Sequence, residues 1–259
     1  MARNHLDRIR EQYTRQADAY SSLQQTRDEQ NQRQLAGLCG AGPKDRALDV
    51  ACGPGFLTMA LAETCGSVVG VDATEALLER ARAEAARRGL VNVEFRAGDA
   101  SALEQEDASF DIVVSRAAFH HFEHPSRVLA EMKRVARPEG RLLIADLIGN
   151  EDARGAAYHD AIERLCDPTH VRALPASEFE RMFGQAGLTI TFRAETKIDW
   201  QVETWMAHGG PEPAAEHEII TRMEASLTDD VGGLEVHRDA DGRLCFRQKA
   251  GVFLLATTR

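Results

Sequence analysis

The chain has 259 residues, of which 43% are hydrophobic and 28% are charged. This is the composition of an ordinary globular protein, long enough to bury the core of one large α/β domain, and it excludes a disordered or fibrous chain. Acidic residues outnumber basic ones 41 to 31, which gives a formal net charge of −10. Because nucleic-acid binders usually carry a basic excess, we predict a small-molecule partner and no nucleic acid.

The cysteines and the apolar runs predict the compartment. There are 5 cysteines, an odd number without a CxxC pair, which is typical of reduced thiols in a cytosolic protein. The first residues, MARNHLDRIREQ, are charged and lack the apolar stretch of a signal peptide. No apolar run reaches the roughly 18 residues that would suggest a membrane span. We therefore predict a cytoplasmic protein without membrane insertion.

Strand and helix patterns alternate along the chain. Helical patterns follow Gly55 and occupy residues 75–89, 127–137 and 177–187, and Ser177 with Glu180 predicts a capping box for the last one. Seven apolar or β-branched runs predict strands, at residues 47–51, 67–72, 93–97, 111–115, 141–145, 188–192 and 252–258. This alternation predicts an α/β fold with a Rossmann-like, seven-stranded, mainly parallel sheet and helices on both faces. Ligands of such sheets bind beyond the carboxyl ends of the strands.

The turn after the first strand, in ALDVACGPGF, is shaped for a ligand. It contains Asp49, Ala51, Gly53 and Gly55, and a helix follows at once. Glycines let the backbone approach a ligand closely, and the start of a helix offers unpaired N–H groups.

Two further strand ends carry acids. Asp72 ends the second strand and precedes Ala73, and a carboxylate there can accept hydrogen bonds from both hydroxyls of a ribose. The third strand is followed by Gly98, Asp99 and Ala100, where an acid and its neighbouring backbone could bind an adenine edge. Three successive strand ends therefore indicate a nucleoside.

A nicotinamide cofactor is the alternative on this kind of fold. Its turn has the pattern GxGxxG, but Thr58 stands here at the third glycine position. This departure weakens the alternative of a nicotinamide-dependent oxidoreductase. A non-catalytic cofactor-binding protein is a second alternative, because a fold does not by itself establish a reaction.

At these motifs the sequence resembles the class I S-adenosylmethionine-dependent methyltransferases. The resemblance is greatest to the small-molecule branch with the ubiquinone and menaquinone C-methyltransferases. It rests on LDVACGPG, VVGVDAT, FRAGDA and the segment FDIVVSRAAFHHFEHPSRVLAEMKRVARPEGRLLIAD, which occur in the family's order. The quinone enzymes differ from AFHHFEH within that segment, so the resemblance does not extend to a quinone substrate.

The resemblance implies S-adenosyl-L-methionine as cofactor and S-adenosyl-L-homocysteine as product. It implies that the turn after the first strand surrounds the methionine part, that Asp72 holds the ribose, and that an aromatic-bearing N-terminal helix closes over the cofactor. The candidate cofactor-binding residues are Tyr13, Tyr20, Asp49, Ala51, Gly53, Gly55, Asp72, Ala73, Gly98, Asp99, Ala100, Ser115 and Arg116.

The implied reaction is transfer of a methyl group by direct displacement to a carbon, oxygen or nitrogen of a small acceptor. The sulfonium is already activated, so the protein aligns the reactants and excludes water. A neutral histidine suits an acceptor that must lose a proton, and His120 and His170 are the candidate catalytic residues. His170 belongs to a polar cluster with Asp167 and Arg172, in the segment where the family builds its acceptor pocket.

The segment HHFEH also matches the HxxEH pattern of a zinc-peptidase class. That pattern needs a helix, but it follows a strand here, and Pro125 disfavours helical geometry at His124. We therefore predict no metal site.

The predicted domain organisation is a single methyltransferase domain. Residues 1–40 form an N-terminal helical cap, 45–198 the cofactor-binding core, 199–240 an insertion or lid, and 241–259 the terminal strand region. We expect Trp200, Trp205 and Met206 to pack the insertion, with lining of the acceptor pocket as the alternative. The oligomeric state stays open, a homodimer being one option.

Overall fold

The computed structural model describes residues 4–22 and 28–257. Within them a central sheet of eight strands lies between helices, which confirms the predicted fold class. The strand in addition to the predicted seven is a two-residue strand, His237–Arg238, inside the predicted insertion. The strands are β1 (Arg46–Val50), β2 (Ser67–Asp72), β3 (Val93–Ala97), β4 (Phe110–Arg116), β5 (Ala136–Leu147), β6 (Leu188–Gln201), β7 (His237–Arg238) and β8 (Leu244–Thr257).

The strand order is β3-β2-β1-β4-β5-β8-β6, and β7 pairs with β8. The first five strands in that order are parallel, and β8 runs antiparallel to both of its long neighbours. From β1 the chain adds β2 and β3 on one side of the sheet and then returns to add β4 and β5 on the other side, so the strand order reverses between β1 and β4. Since ligands of open α/β sheets bind at such a switch point, the fold directs attention to the ends of these two strands.

The helices cover both faces of this sheet. They are α1 (His5–Ser22), α2 (Glu29–Leu38), α3 (Phe56–Ala62), α4 (Glu75–Arg87), α5 (Pro125–Val135), α6 (Ala153–Cys166), α7 (Ala176–Gln185), α8 (Val202–Gly209) and α9 (Pro213–Ser226). The predicted capping box at Ser177 is wrong, because α7 begins one residue earlier and the Ser177 hydroxyl donates to Glu151 instead.

Alternation along the central strands divides the core. Leu48 and Val113 point to the face packed by α5 and α7, whereas Ala47 and Val114 point to the face packed by α2 and α3. A strand buried on both faces has to be apolar throughout, which explains why ALDV and DIVV are recognisable in the sequence.

Two strands are longer than the sequence patterns predict. β6 runs from Leu188 to Gln201 rather than ending at residue 192, and β8 begins at Leu244 rather than at residue 252. Most side chains of β6 are exposed because it is the edge strand, so its outer half lacks an apolar alternation. The connection from β6 to β8 contains α8, α9 and β7 and has its own apolar cluster, which includes Trp200, Trp205 and Met206.

Helix α1 lies across the carboxyl ends of the strands. The buried side-chain amides of Gln12 and Gln16 both donate to the carbonyl oxygen of Gly209, at the end of α8. On the other side Arg10 donates to the carbonyl of Ala73 at 3.2 Å, and Asp18 pairs with Arg80 of α4 at 2.6 Å. The helix thus bridges the insertion and the end of β2.

No helix in the described part of the chain is both long enough and apolar enough to cross a membrane. Parts of the predicted cap, residues 1–3 and 23–27, lie outside the described residues, as do residues 258–259 of the terminal strand region.

Candidate active site

The turn after β1 is held against the end of β2 by hydrogen bonds. The N–H of Cys52 donates to the carbonyl of Val71 at 3.0 Å, and the N–H of Gly53 donates to the Asp72 carboxylate at 2.8 Å. Gly53 has a φ of +54° and Ala51 a φ of +57°. The left-handed conformation is unfavourable for alanine, and such local strain is found preferentially at functional sites.

Asp72 is buried at the carboxyl end of β2. One carboxylate oxygen accepts from Gly53 and the other from the N–H of Thr74, each at 2.8 Å. Burial raises the pKa of Asp72, whereas these backbone hydrogen bonds act in the opposite direction. Each oxygen retains a lone pair for a further donor.

A cavity of about 320 Å³ opens at this edge of the sheet. We call it the first cavity. It is within the usual size range of small-molecule sites. Its lining includes nine of the predicted cofactor-binding residues: Tyr13, Tyr20, Ala51, Gly53, Asp72, Ala73, Gly98, Asp99 and Ala100.

A smaller cavity of about 30 Å³ lies behind the turn and reaches Asp49 and Arg116. Asp49 is buried and accepts a hydrogen bond from the Thr58 hydroxyl at 2.7 Å. Burial raises its pKa to about 7, against the opposing effect of that hydrogen bond. Thr58, noted in the sequence only as a departure from a glycine pattern, therefore holds Asp49 in place.

Two predicted cofactor-binding residues line none of the cavities described here. Gly55 begins α3 at a φ of +76°, and a Cβ there would lie 2.6 Å from the Phe95 ring. The close packing explains this glycine. Ser115 is fully buried within β4, and its hydroxyl has no hydrogen-bond partner among the described residues.

A second cavity, of about 130 Å³, adjoins the first. The two share Tyr13, Tyr20, Ala117 and His121 in their linings. Ala117 follows β4 and has a φ of +52°, so strained residues follow both strands of the switch point. The second cavity is also lined by Gln16, Arg116, His120, Leu147, Glu163, Cys166, Asp167, His170, Ile198, Trp200, Trp205, His208, Gly209 and Gln248.

His120 forms a buried dyad with Asp146. The Nδ1–H of His120 donates to Oδ1 of Asp146 at 2.6 Å, while Oδ2 accepts from the N–H groups of Ala118 and Phe119. Burial alone would lower the pKa of His120, but the charge and hydrogen bond of Asp146 outweigh it and raise the pKa. With Nδ1 protonated, Nε2 is the nitrogen that can accept a proton.

His121 is tied to α1. Its Nδ1–H donates to the carbonyl of Thr169 at 3.1 Å, so Nε2 accepts from the Tyr13 hydroxyl at 2.8 Å. The same hydroxyl is 3.3 Å from the Asp167 carboxylate. Burial lowers the pKa of His121, which keeps the ring neutral. Burial and the charge of Asp167 raise the pKa of Tyr13.

His170 forms a second dyad. Its Nε2–H donates to Asp160 at 2.8 Å, and its buried Nδ1 has no partner among the described residues. The His120 and His170 rings lie 5.6 Å apart between centroids. Asp167 also lines the second cavity, but Arg172 pairs with Glu178 on the surface and does not.

The HHFEH segment does not form the helix that its zinc pattern requires. Residues Phe119–His121 form a single 3₁₀ turn, and His124 only precedes the first turn of α5. His120 and His124 are therefore not neighbours on one helical face.

Comparison with known proteins identifies the family. A family model described as a methyltransferase domain matches residues 42–187. The chain is 34% identical over 178 residues to the uncharacterized methyltransferase YcgJ of Bacillus subtilis, covering 69% of this chain and 70% of that protein. The chain belongs to the class I S-adenosylmethionine-dependent methyltransferases.

The crystal structure of YcgJ superimposes on this methyltransferase with a TM-score of 0.83, covering 89% of this chain and 99% of that one at 28% identity. The 27-O-demethylrifamycin SV methyltransferase of Amycolatopsis mediterranei is 28% identical over 200 residues, covering 74% of this chain and 73% of that protein.

The sequence analysis did not identify Asp146 of the methyltransferase as a site residue. It lies at the end of β5, 26 positions after His120, and enters the site because β5 pairs with β4. The available signal was its position: an acid after a buried apolar run, at the same sheet edge as Asp72. Asp160 gave no such signal, since it is one polar residue among several on α6.

Proposed function

We propose that this methyltransferase binds S-adenosylmethionine in the first cavity and methylates a small molecule held in the second cavity. The observation that carries the proposal is that the two cavities meet at Tyr13, Tyr20, Ala117 and His121, with the His120–Asp146 dyad on the far side of that junction. Methyl transfer needs this arrangement, because donor and acceptor must approach in line while water is excluded.

The residues of the first cavity fit the cofactor. The buried Asp72 carboxylate has lone pairs left for ribose hydroxyls. Asp99 and the backbone around it are positioned by a hydrogen bond from the N–H of Ser101 at 2.8 Å, next to the same cavity. Asp49 lines the smaller cavity behind the turn, where the family resemblance places the methionine part.

When bound, S-adenosylmethionine supplies a methyl group on a positively charged sulfur. On the acceptor side His120 is the general base: Asp146 fixes the tautomer and favours the protonated ring that forms. His121 is less suited to this role, because its Nε2 already accepts from Tyr13 and its pKa is lowered. Helix α1 with Tyr13 and Tyr20 closes the junction from water.

A small acceptor is favoured by the size of the second cavity and by the relatives. One relative carries in its name a small-molecule substrate, 27-O-demethylrifamycin SV. The nicotinamide alternative receives less support, because a threonine that binds Asp49 stands where its turn requires a glycine.

Calorimetric titrations with S-adenosylhomocysteine and with NAD test the cofactor assignment. We expect one S-adenosylhomocysteine per chain and no heat from NAD. The reaction is tested by incubating the protein with methyl-labelled S-adenosylmethionine and a pool of small metabolites. Label in a small product supports the proposal, whereas tight cofactor binding with no product from any pool would favour a non-catalytic binding protein.

A further inference from the structure

The second cavity contains polar atoms that the protein leaves without partners. His170 is 3% and Trp200 7% exposed, and both line this cavity. His170 Nδ1 and Trp200 Nε1 have no hydrogen-bond partner among the described residues. Leaving such buried groups unsatisfied is unfavourable, so a ligand that satisfies them is favoured.

The unpaired atoms specify what the ligand must offer. His170 Nδ1 can only accept, because Nε2 carries the proton that is donated to Asp160. His120 Nε2 can only accept for the same reason, since Nδ1–H is donated to Asp146. Trp200 Nε1–H can only donate. A hydroxyl group both donates and accepts, so a ligand with two hydroxyls satisfies these three atoms. The buried Nδ1 of His208 is a further unpaired atom in the lining, and no hydrogen bond of the described residues fixes whether it donates or accepts.

The charges near the cavity decide against charged acceptors. The carboxylates of Glu163 and Asp167 line it and outnumber the guanidinium of Arg116 in the same lining, which disfavours an acceptor carrying a carboxylate or phosphate. These carboxylates are also already bonded: Glu163 accepts from His159 and Gln248, and Asp167 accepts from the N–H and hydroxyl of Thr169. The atoms left for a ligand are therefore nitrogens rather than carboxylate oxygens, which favours a neutral acceptor over an ammonium.

The size and shape of the cavity limit the acceptor to one ring. Its volume of about 130 Å³ is close to the roughly 150 Å³ of an engineered cavity that binds benzene. Three rings of its lining, Tyr20, His208 and Trp200, are nearly parallel, with interplanar angles of 26° and 21° along the series. The ring centroids of His120 and His170 are 5.6 Å apart, which is too close for another ring to lie between them. We therefore expect both histidines to contact one edge of the acceptor.

We propose that the acceptor is a neutral, planar, single-ring molecule with two neighbouring hydroxyl groups, one donating to His120 Nε2 and the other to His170 Nδ1. This rests on the proposed function. His120 Nε2 takes the proton of the first hydroxyl while that oxygen's electron pair forms the new O–C bond. The C–S bond breaks and its electron pair stays on sulfur. The products are a methyl ether, S-adenosylhomocysteine and a protonated His120.

The two tryptophans of the chain, Trp200 and Trp205, both line this cavity, so intrinsic fluorescence reports on its occupancy. The experiment titrates the full chain, saturated with S-adenosylhomocysteine, with catechol, phenol, benzoate and benzylamine. We expect saturable quenching by catechol, about 5–10-fold weaker binding of phenol because one hydrogen bond is lost, and no saturable quenching by benzoate or benzylamine.

Matched variants assign the two hydroxyls. His170→Gln keeps a donor at the Nε2 position for Asp160 but lacks the Nδ1 acceptor, and should bring catechol affinity down to that of phenol while phenol affinity stays unchanged. His217→Gln, on the exposed side of α9, is the control and should change neither. With 4-nitrocatechol the wild-type protein should shift the absorbance towards the ionised form, and His120→Asn should abolish the shift.

Binding of S-adenosylhomocysteine, measured calorimetrically in the same samples, distinguishes a failure of the proposed function from a failure of the acceptor proposal. If S-adenosylhomocysteine fails to bind, the proposed function is wrong and the acceptor proposal fails with it. If it binds but catechol is no better than phenol, or if benzoate or benzylamine is the tighter ligand, the acceptor proposal alone is overturned.

Discussion

The first and second cavities differ in how the chain builds them. The first is made from α1, the ends of β1, β2 and β3 and the turn after β4, and seven of its nine predicted residues lie within a few positions of one of these three strands. The second collects side chains from α1, the turn after β4, α6, the loop after it, β6 and α8. The strand-end part of the first cavity thus follows from short local motifs, whereas the second cavity exists only after long-range packing.

The two cavities also differ in the chemical groups that they present to a ligand. The first cavity relies on backbone N–H groups and carboxylates that are fixed by the sheet, which suits a ligand common to a whole family. The second relies on histidines oriented by buried acids, His120 by Asp146 and His170 by Asp160. We therefore expect substitutions in one cavity to affect cofactor affinity and those in the other to affect turnover and acceptor binding.

The largest effect is expected for His120→Asn. Asparagine keeps a donor towards Asp146 but removes the Nε2 base, so turnover should fall by about 10²–10⁴-fold. Affinity for S-adenosylhomocysteine should stay unchanged, because His120 does not line the first cavity. Steady-state kinetics and calorimetry on the same preparation check both parts. Equal losses in turnover and cofactor affinity would contradict the assignment of separate functions to the two cavities.

The next largest effect is expected for Asp72→Ala, on the other side of the comparison. Loss of hydrogen bonds to a charged group should weaken S-adenosylmethionine binding by about 1.5–3 kcal/mol, roughly 10–150-fold. Turnover at saturating cofactor should change little. Asp107→Ala is the matched control, since that carboxylate is exposed and pairs with Arg134. Unchanged affinity in Asp72→Ala would refute the ribose assignment.

The pH dependence of turnover should carry the signature of the His120–Asp146 dyad. Only neutral His120 can act as a base, so turnover should fall as the pH drops through its pKa, which Asp146 raises from the ordinary value. In Asp146→Asn the negative charge is lost, and the midpoint of this acid limb should move to lower pH. A midpoint that stays in place would show that another group titrates.

The smallest effect is expected for Tyr13→Phe. This change removes the hydroxyl that links α1 to His121 and Asp167 but keeps the ring that lines both cavities. One lost hydrogen bond should weaken ligand binding by about 2–10-fold and increase amide hydrogen exchange in α1. Tyr158→Phe removes a comparable hydroxyl, bonded to Arg222 and Ser226, and should leave α1 unchanged.

Sequence reasoning predicted the fold class and nine residues in the lining of the first cavity, seven of them at strand ends, which carry local signals. It assigned Gly55 to the ligand; the Phe95 ring packs close to that glycine, a contact that could not be predicted because packing partners from another strand leave no local pattern. His120 and His170 could be proposed from their chemistry. Asp146 and Asp160 could not, because their roles depend on the pairing of β5 with β4 and on the position of α6. The outer half of β6 was missed because an exposed edge strand does not need alternating apolar residues.

The most direct test of the central claim is a crystal structure of the chain with S-adenosylhomocysteine. The account predicts the ribose hydroxyls on the Asp72 carboxylate, the adenine beside Asp99, and the sulfur at the junction lined by Tyr20 and Ala117, facing the cavity of His120. A ligand bound elsewhere, or one whose sulfur faces away from the second cavity, would contradict the account.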